Sequence, residues 1–451
     1  LESLVNLLLR DSALFQGLGY GLTAALVMFV CGFIVVNFFG LMAGVYIFLE
    51  RKVAGWTNSR RGPNRVGPYG LIQFVADGVK LLLKEDVIPD QADRPFFRFA
   101  PYPVLLGTVL SFVVAPFGPK LIIGDLNLGL FYLLATGSFT VIGLIMAGWA
   151  SHNKWSLLGG MRSAAQIVSY EIPNALAFLL VVLTAGTMSV QGIIGAQAGG
   201  IGRWFVFSSP FAFAAFFIYF ISAVAEINRI PFDIPEAESE LVSGYNVEYS
   251  AMRFAMFFAA EFGNIYVVSA AAVTCFLGGW QVPLTGGPED LAGLGRAVGQ
   301  FLAWPVLQVA LLIGALACFF LTWRAGRGFA LDLKRKLPRF TDRLVRVNSE
   351  LGLLALLFGG TGLILALHWP LRPYLAGIYA FLFVYLVPFL VFFIKAMAVS
   401  FVILWWRWTL PRLRVDQLMG VAWKYLIPIG FFCLLGQAVW LILFRSPGTA
   451  G

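Results

Sequence analysis

Between Tyr20 and Leu49 the chain reads YGLTAALVMFVCGFIVVNFFGLMAGVYIFL, a mainly apolar run longer than one bilayer crossing requires. A transmembrane helix needs roughly 20 such residues. Comparable runs follow at Pro101 to Phe117, Gly129 to Ala150, Ile172 to Ile194, Phe205 to Ala225, Met252 to Gly279, Val298 to Trp323, Leu351 to Trp369, Leu375 to Trp405 and Tyr425 to Phe444. They make ten candidate spans. The expected fold class is therefore all-α, a polytopic integral membrane protein with about ten transmembrane helices. Composition agrees: of 451 residues, 59% are hydrophobic and 12% charged, well outside the soluble range.

A formal charge of +9 raises the question of nucleic acid, but basic residues beside membrane spans follow the positive-inside rule, so their distribution decides. Loops on one side hold Arg51, Lys52, Arg60, Arg61, Arg65, Lys80, Lys84, Arg94 and Arg98, then Lys154 and Arg162, Arg229 and Arg253, the run from Arg324 to Arg346, and Arg407, Arg412, Arg414 and Lys424. The alternate loops hold only Arg10, Lys120, Arg203, Arg296, Arg372 and Arg445. This alternation predicts both termini outside and the large basic loops in the cytoplasm, or on the matrix side of an organelle. It argues against nucleic acid as a partner.

Cys31, Cys275, Cys318 and Cys433 are isolated in apolar spans, without metal-site or redox-dithiol spacing. They read as packing residues, and the expectation for metal is none. His152 and His368 are too few and too separated to hold haem or zinc unaided. No complete GxGxxG follows a strand, and no GxxxxGK[ST] loop occurs. No electron carrier or nucleotide site is expected on this chain, and no separate signal peptide is evident.

The first basic loop contains RRGPNRVGP, whose glycines and prolines predict a stiff irregular segment. Beyond it Leu71, Phe74, Val75, Val79 and Leu82 recur at helical spacing, interrupted by Asp77, Lys80 and Lys84. That pattern suits a short amphipathic helix at the membrane interface, serving as an anchor or lining a ligand site. The stretch GWASHNKWSLLGGMRSAAQIVSYEI links the third and fourth spans and ends near Glu171, where the chain re-enters the membrane. Glu171 either sits at a helix N-terminus, favoured by the dipole, or has a function. Glu261 lies nine residues into the span beginning at Met252, and Lys395 is similarly deep in the span from Leu375. Intramembrane ionisable residues point to function because burying them is expensive; the alternative is a mutual ion pair.

The most acidic connector, AEINRIPFDIPEAESELVSGYNVEYS, runs from Ala225 to Ser250 and carries Glu226, Asp233, Glu236, Glu238, Glu240 and Glu248. Pro231 and Pro235 break the preceding helix, and Pro235 suits the first turn of a new one. Glu236 and Glu240 would then share a face. An acidic first turn gains only about 0.3–1 kcal/mol per charge from the helix dipole, less than three carboxylates call for. Clustered carboxylates raise one another's proton affinity, and Arg229 is the only basic residue between Glu226 and Arg253. A proton path or a cationic partner surface is the better reading.

The segments ERKVAG, RGPNRVGPYGLIQ, ADGVKLLLKE, GWASHNKWSLLGGMRSAAQIVSYEI, AEINRIPFDIPEAESELVSGYNVEYS, MRFAMFFAAEF and RWTLPRLRVDQLM together resemble the H-subunit family of NADH-quinone oxidoreductase, respiratory complex I, whose mitochondrial members are called NADH dehydrogenase subunit 1. The motifs appear in family order and cover most of the chain from Leu41 to Gly279 and from Leu375 to Leu443. The resemblance implies a membrane component that helps form the quinone tunnel and couples quinone reduction to proton translocation, inactive alone. It implies quinone as substrate, with FMN and iron-sulfur clusters in partner subunits. Those partners would be peripheral-arm iron-sulfur and quinone-site subunits, small membrane subunits, antiporter-like subunits and the lipid bilayer. The implied location is the energy-conserving membrane, the bacterial inner membrane.

By the same resemblance, Glu50, Arg51, Arg60, Asp77 and Arg229 fall near the quinone entrance or tunnel. Asp233, Glu236, Glu238 and Glu240 fall in the acidic loop beneath the quinone cavity, and Glu171, Glu226 and Glu261 match membrane carboxylates that carry protons inward. The pattern departs between Gln281 and Arg372, where this chain adds two spans and the basic run KRKLPRFTDRLVR. Three regions are expected: a membrane domain over 1–280 with the quinone-site loops and acidic connector, a two-helix insertion over 281–372, and the final two spans over 373–451. A related energy-converting hydrogenase or other-donor dehydrogenase is the alternative of the same ancestry. A stand-alone ion transporter usually shows related halves, and no internal repeat is seen.

Overall fold

The computed structural model describes residues 13–119, 121–235, 242–283, 288–335, 342–368, 370–371 and 374–444. Among them every extended regular element is helical, with one isolated bridge between Gly118 and Leu121. The helices are α1 (Ala13–Thr57), α2 (Gln73–Leu83), α3 (Arg94–Phe99), α4 (Pro101–Val114), α5 (Gly129–Ala150), α6 (Lys154–Ala185), α7 (Val190–Ala196), α8 (Phe205–Ser208) and α9 (Pro210–Glu226). They continue as α10 (Ala251–Phe276), α11 (Pro288–Leu302), α12 (Pro305–Arg335), α13 (Asp342–Leu367), α14 (Leu375–Phe381), α15 (Val387–Thr409), α16 (Val415–Gly420) and α17 (Ile427–Phe444). Eight helical stretches among the described residues are long and apolar enough to cross a membrane. Two shorter apolar ones, Pro210–Glu226 and Leu356–Leu367, fall in further predicted spans. The chain is an all-α polytopic integral membrane protein.

Packing divides it into two compact units: residues 1–47, 80–286 and 389–451, and residues 48–79 and 287–388. In the first, α4 packs on α5 and α10, α5 packs on α6, and α6 also meets α9 and α17. Lipid tails are as apolar as leucine, so helix association in a bilayer depends on close packing and polar contacts. Small residues provide the closeness. A Cβ at Gly160 of α6 would stand 3.0 Å from the Leu144 carbonyl oxygen on α5, and one at Gly148 would stand 2.7 Å from the Ser156 carbonyl oxygen. In the second unit α12 pairs with α13 and α11 with α14.

Several predicted boundaries move. The fourth span does not begin at Ile172: α6 starts at Lys154, where the Asn153 side chain accepts from the Trp155 amide at 3.1 Å, and continues through Pro173 to a left-handed stop at Gly186 (φ 73°). Its first half looked like a connector because it is small and polar. Ser156, Gly159, Gly160, Ser163, Ala164 and Gln166 are buried. Consequently Glu171 is interior to a helix, and the helix-N-terminus reading of it is overturned. Helix α1 likewise runs past Leu49 through Glu50, Arg51 and Lys52.

The span expected over Val298–Trp323 is broken instead between α11 and α12. Pro305 opens α12, a position where its missing amide hydrogen is not needed. The buried Gln308 side chain donates to the Leu302 carbonyl at 2.7 Å across the break. The predicted amphipathic helix is α2, none of whose residues is buried; Val75, Val79, Leu82 and Leu83 stay exposed. Within the basic run of the expected insertion, residues 336–341 lie outside the described residues.

Candidate functional site

Helix α9 delivers Glu226 at its C-terminal end, and the chain then turns sharply at Asn228, whose φ is +52°. Asn tolerates this left-handed geometry better than most residues. The turn is fastened to α6: Gln166 Nε2 lies 2.7 Å from the Ala225 carbonyl, 3.0 Å from Asn228 Oδ1 and 2.7 Å from the Phe232 carbonyl. Asn228 Nδ2 donates to Ser163 Oγ at 3.1 Å. From the far end of the sequence, the Leu413 amide donates to the Pro231 carbonyl at 3.0 Å. Backbone polar groups of an irregular buried segment need such partners.

This connector aims its charges inward. Arg229 is 2% exposed; its Nε stands 2.8 Å from Glu261 Oε1 on α10, and its guanidinium lies over the Phe262 ring at 4.3 Å. Asp233 Oδ2 stands 3.2 Å from Arg412 Nη2. Burial still pushes the Asp233 carboxyl up from 3.8 to about 6, because desolvation outweighs the attraction of Arg412 and Glu261 adds repulsion. With Arg229 turned to Glu261, the counter-charge for Asp233 comes from a segment distant in sequence.

A second polar cluster joins α5, α6 and α9. Glu226 Oε2 accepts from Asn174 Nδ2 at 2.8 Å, and Glu171 Oε1 accepts from Ser138 Oγ at 3.2 Å. Glu226 Oε1 approaches Gly137 so closely that a Cβ there would lie 3.2 Å away. Glu171 and Asn174 are one helical turn apart, so both predicted carboxylates belong to one polar cluster.

The mutual ion pair considered for Glu261 and Lys395 does not form. Glu261 takes Arg229, while Lys395 Nζ donates to the carbonyls of Leu277, Gly279 and Gln281 at 2.9, 3.1 and 2.8 Å and lies 4.0 Å from the Trp204 ring centroid. An ammonium at the C-terminal end of α10 complements its exposed carbonyls and dipole. Glu248 joins neither cluster; it accepts from Asn153 Nδ2 at 2.7 Å at the start of α6. Glu236, Glu238 and Glu240, together with the helix expected after Pro235, lie outside the described residues.

In the other unit, Arg51 Nη1 and Asp77 Oδ2 are 2.5 Å apart, and Gln73 Nε2 donates to Asp77 Oδ1 at 3.2 Å. The predicted stiff loop is folded tightly: a Cβ at Gly55 would meet the Gly62 amide nitrogen at 2.8 Å. Glu50 is buried on α1 and Arg60 is exposed on the loop. Arg51 and Asp77 thus come together, whereas Arg229 belongs to the first unit. Among the described residues no group of three His, Cys, Asp or Glu side chains is placed to hold a metal ion.

Gln166, Asn174 and Ser138 were missed in the sequence, as was the pairing of Arg412. A signal was present on α6, where Ser163, Gln166, Tyr170 and Asn174 follow at intervals of three and four, the spacing of one helix face. A polar stripe on a membrane helix marks contact with another helix.

A family model described as NADH dehydrogenase matches residues 29–328 and 340–438. The matched residues include most of 281–372, omitting 329–339 of the basic loop. A protein of Anaeromyxobacter dehalogenans, named as the H subunit of NADH-quinone oxidoreductase, is 43% identical over 426 residues, covering 94% of this chain and 84% of its own. Its namesake in Chlorobaculum tepidum is 40% identical, covering 90% of this chain and 89% of its own. Of two such H subunits in Solibacter usitatus, the one numbered 2 is 39% identical, covering 90% and 94%. With a membrane-helical fold and matches of this extent, the chain belongs to the NADH dehydrogenase family, as an H subunit of NADH-quinone oxidoreductase.

Proposed function

We propose that the chain helps form the quinone tunnel of a proton-pumping NADH-quinone oxidoreductase and couples quinone reduction to proton translocation. The observation that carries this reading is the Arg229–Glu261 pair, which ties an irregular connector to a carboxylate within a membrane span. Charges at such depth are expensive and point to ion or proton traffic. In this reading Glu50, Arg51, Arg60, Asp77 and Arg229 serve the tunnel. Glu171, Glu226, Asp233, Glu236, Glu238, Glu240 and Glu261 handle protons.

Quinone reduction consumes two electrons and two protons, so negative charge develops as electrons arrive. Acidic groups near the quinone give up protons in response, and their changed charge alters the proton affinity of their neighbours. Asp233 beside Arg412 and Glu261 beside Arg229 are the links that such a change would meet in turn. FMN and iron-sulfur clusters belong to peripheral-arm partners, and antiporter-like subunits receive the signal within the membrane arm. The setting is the bacterial inner membrane, with both termini outside and the large basic loops cytoplasmic.

The test uses inner-membrane vesicles carrying Glu226→Gln or Glu261→Gln in the assembled complex. Expected is a loss of quinone-dependent proton pumping of at least several-fold, with NADH oxidation by artificial acceptors retained. Normal quinone reduction and normal pumping in both variants would overturn the reading.

A further inference from the structure

Asn174 is 4% exposed, and although its Nδ2 donates to Glu226 at 2.8 Å, its Oδ1 is buried with no hydrogen-bond partner among the described residues. A buried acceptor without a donor is costly. Its neighbour explains how such a group can be useful. A carboxylate only accepts hydrogen bonds, whereas a carboxylic acid also donates one, and an amide carries both a donor and an acceptor. A half-turn of the amide about Cβ–Cγ exchanges Nδ2 and Oδ1 with little change in shape.

We propose that Asn174 is a positioning residue that follows the protonation of Glu226, donating through Nδ2 to the carboxylate and accepting through Oδ1 from the carboxylic acid. The Asn174 amide itself neither gains nor loses a proton; as Glu226 takes one up or releases it, only the direction of the hydrogen bond between them reverses. A proton thus arrives and leaves without stranding Glu226 in either state, where an apolar neighbour would strand both and a lysine would favour only the anion. The inference rests on the reading of Glu226 as a proton carrier.

The surroundings suit this role on each packed element. Helix α5 presents Gly137, whose lack of a side chain leaves room for Glu226 Oε1, and Ser138, which donates to Glu171. Helix α6 presents Glu171, the other carboxylate of the cluster. On α9 itself, the Tyr219 hydroxyl donates to the Val268 carbonyl of α10 at 2.8 Å. Ser222, one turn before Glu226, is fully buried with its hydroxyl unpartnered among the described residues.

The test is infrared difference spectroscopy of the assembled complex in its native membrane, triggered by quinone reduction. The Glu226 carboxyl band is assigned by its loss in Glu226→Gln. In Asn174→Leu that band is expected at higher frequency, because the acid has lost its acceptor. In the wild type grown with carbonyl-labelled asparagine, an amide carbonyl band is expected to change with it and to vanish in Glu226→Gln; this arm decides even where Asn174→Leu does not assemble. An unmoved Glu226 band in Asn174→Leu, or no asparagine band tied to Glu226, overturns the role of Asn174 alone. Absence of any Glu226 carboxyl band removes Glu226 from proton traffic and the inference with it.

Discussion

Arg229 shows how a single buried charge constrains its surroundings. Removing one partner of a buried ion pair leaves the other uncompensated, at a cost of about 3–5 kcal/mol, whereas replacing both by apolar groups is often neutral. Glu261→Gln is therefore expected to lower the thermal stability of the solubilised complex more than the double replacement Glu261→Leu with Arg229→Met. The double variant regains stability but not quinone-coupled pumping; equal stability of the two would show that the pair is not a structural unit. Asp233 gives a pH signature. The fold raises its carboxyl from 3.8 to about 6, so the folded chain holds a proton that the unfolded chain releases. Its contribution to stability consequently falls as pH rises through that window and is constant on either side. In Asp233→Asn this part of the pH dependence of thermal denaturation disappears, and quinone reduction loses an inflection near pH 6. Sequence position marked Glu261 and Lys395 as costly, since depth in an apolar run is a local property. Their partners were not legible, because Arg229 and the carbonyls at the end of α10 are brought there by folding.

At the scale of the element, α6 is the most informative helix. Its N-cap, Asn153, also donates to Glu248, so Asn153→Ala is expected to cost about 1 kcal/mol and to loosen the Ala225–Ser250 stretch at its far end. Hydrogen exchange of 154–158 and 246–250 measures both effects, and an effect on the first segment alone would separate the cap from the Glu248 contact. Gly159 has no room for a side chain: a Cβ would lie 2.6 Å from Gly244 Cα and 2.8 Å from the Tyr245 nitrogen. Gly159→Val is therefore expected to reduce assembled complex in the membrane severely. Gly195→Ala, with nothing within 4 Å of the added carbon, is accepted. The start of α6 escaped a hydropathy reading because its buried face meets other helices instead of lipid. Small and polar residues serve that purpose as well as leucine does.

At the scale of the whole molecule, the function we infer belongs to an assembly. Gentle detergent purification is expected to recover this chain with a flavin and iron-sulfur arm and antiporter-like subunits; recovery as a lone homo-oligomer would defeat the proposed function. Glu238→Gln in that complex is expected to impair coupled quinone reduction with assembly intact, and normal rate with normal pumping would remove the residue from the mechanism. The sequence by itself determined the membrane class, the helical architecture, the family and the depth of Glu261 and Lys395 in apolar runs, because long apolar runs, misplaced charges and contiguous motifs are all properties of neighbouring residues along the chain. Only the tertiary structure decided that Arg229 takes Glu261, that Arg412 reaches Asp233, that Lys395 caps a helix end and that Asn174 meets Glu226. A buried charge has to find whatever compensating group the packing brings within about 3–4 Å, and that distance is set by how the helices cross.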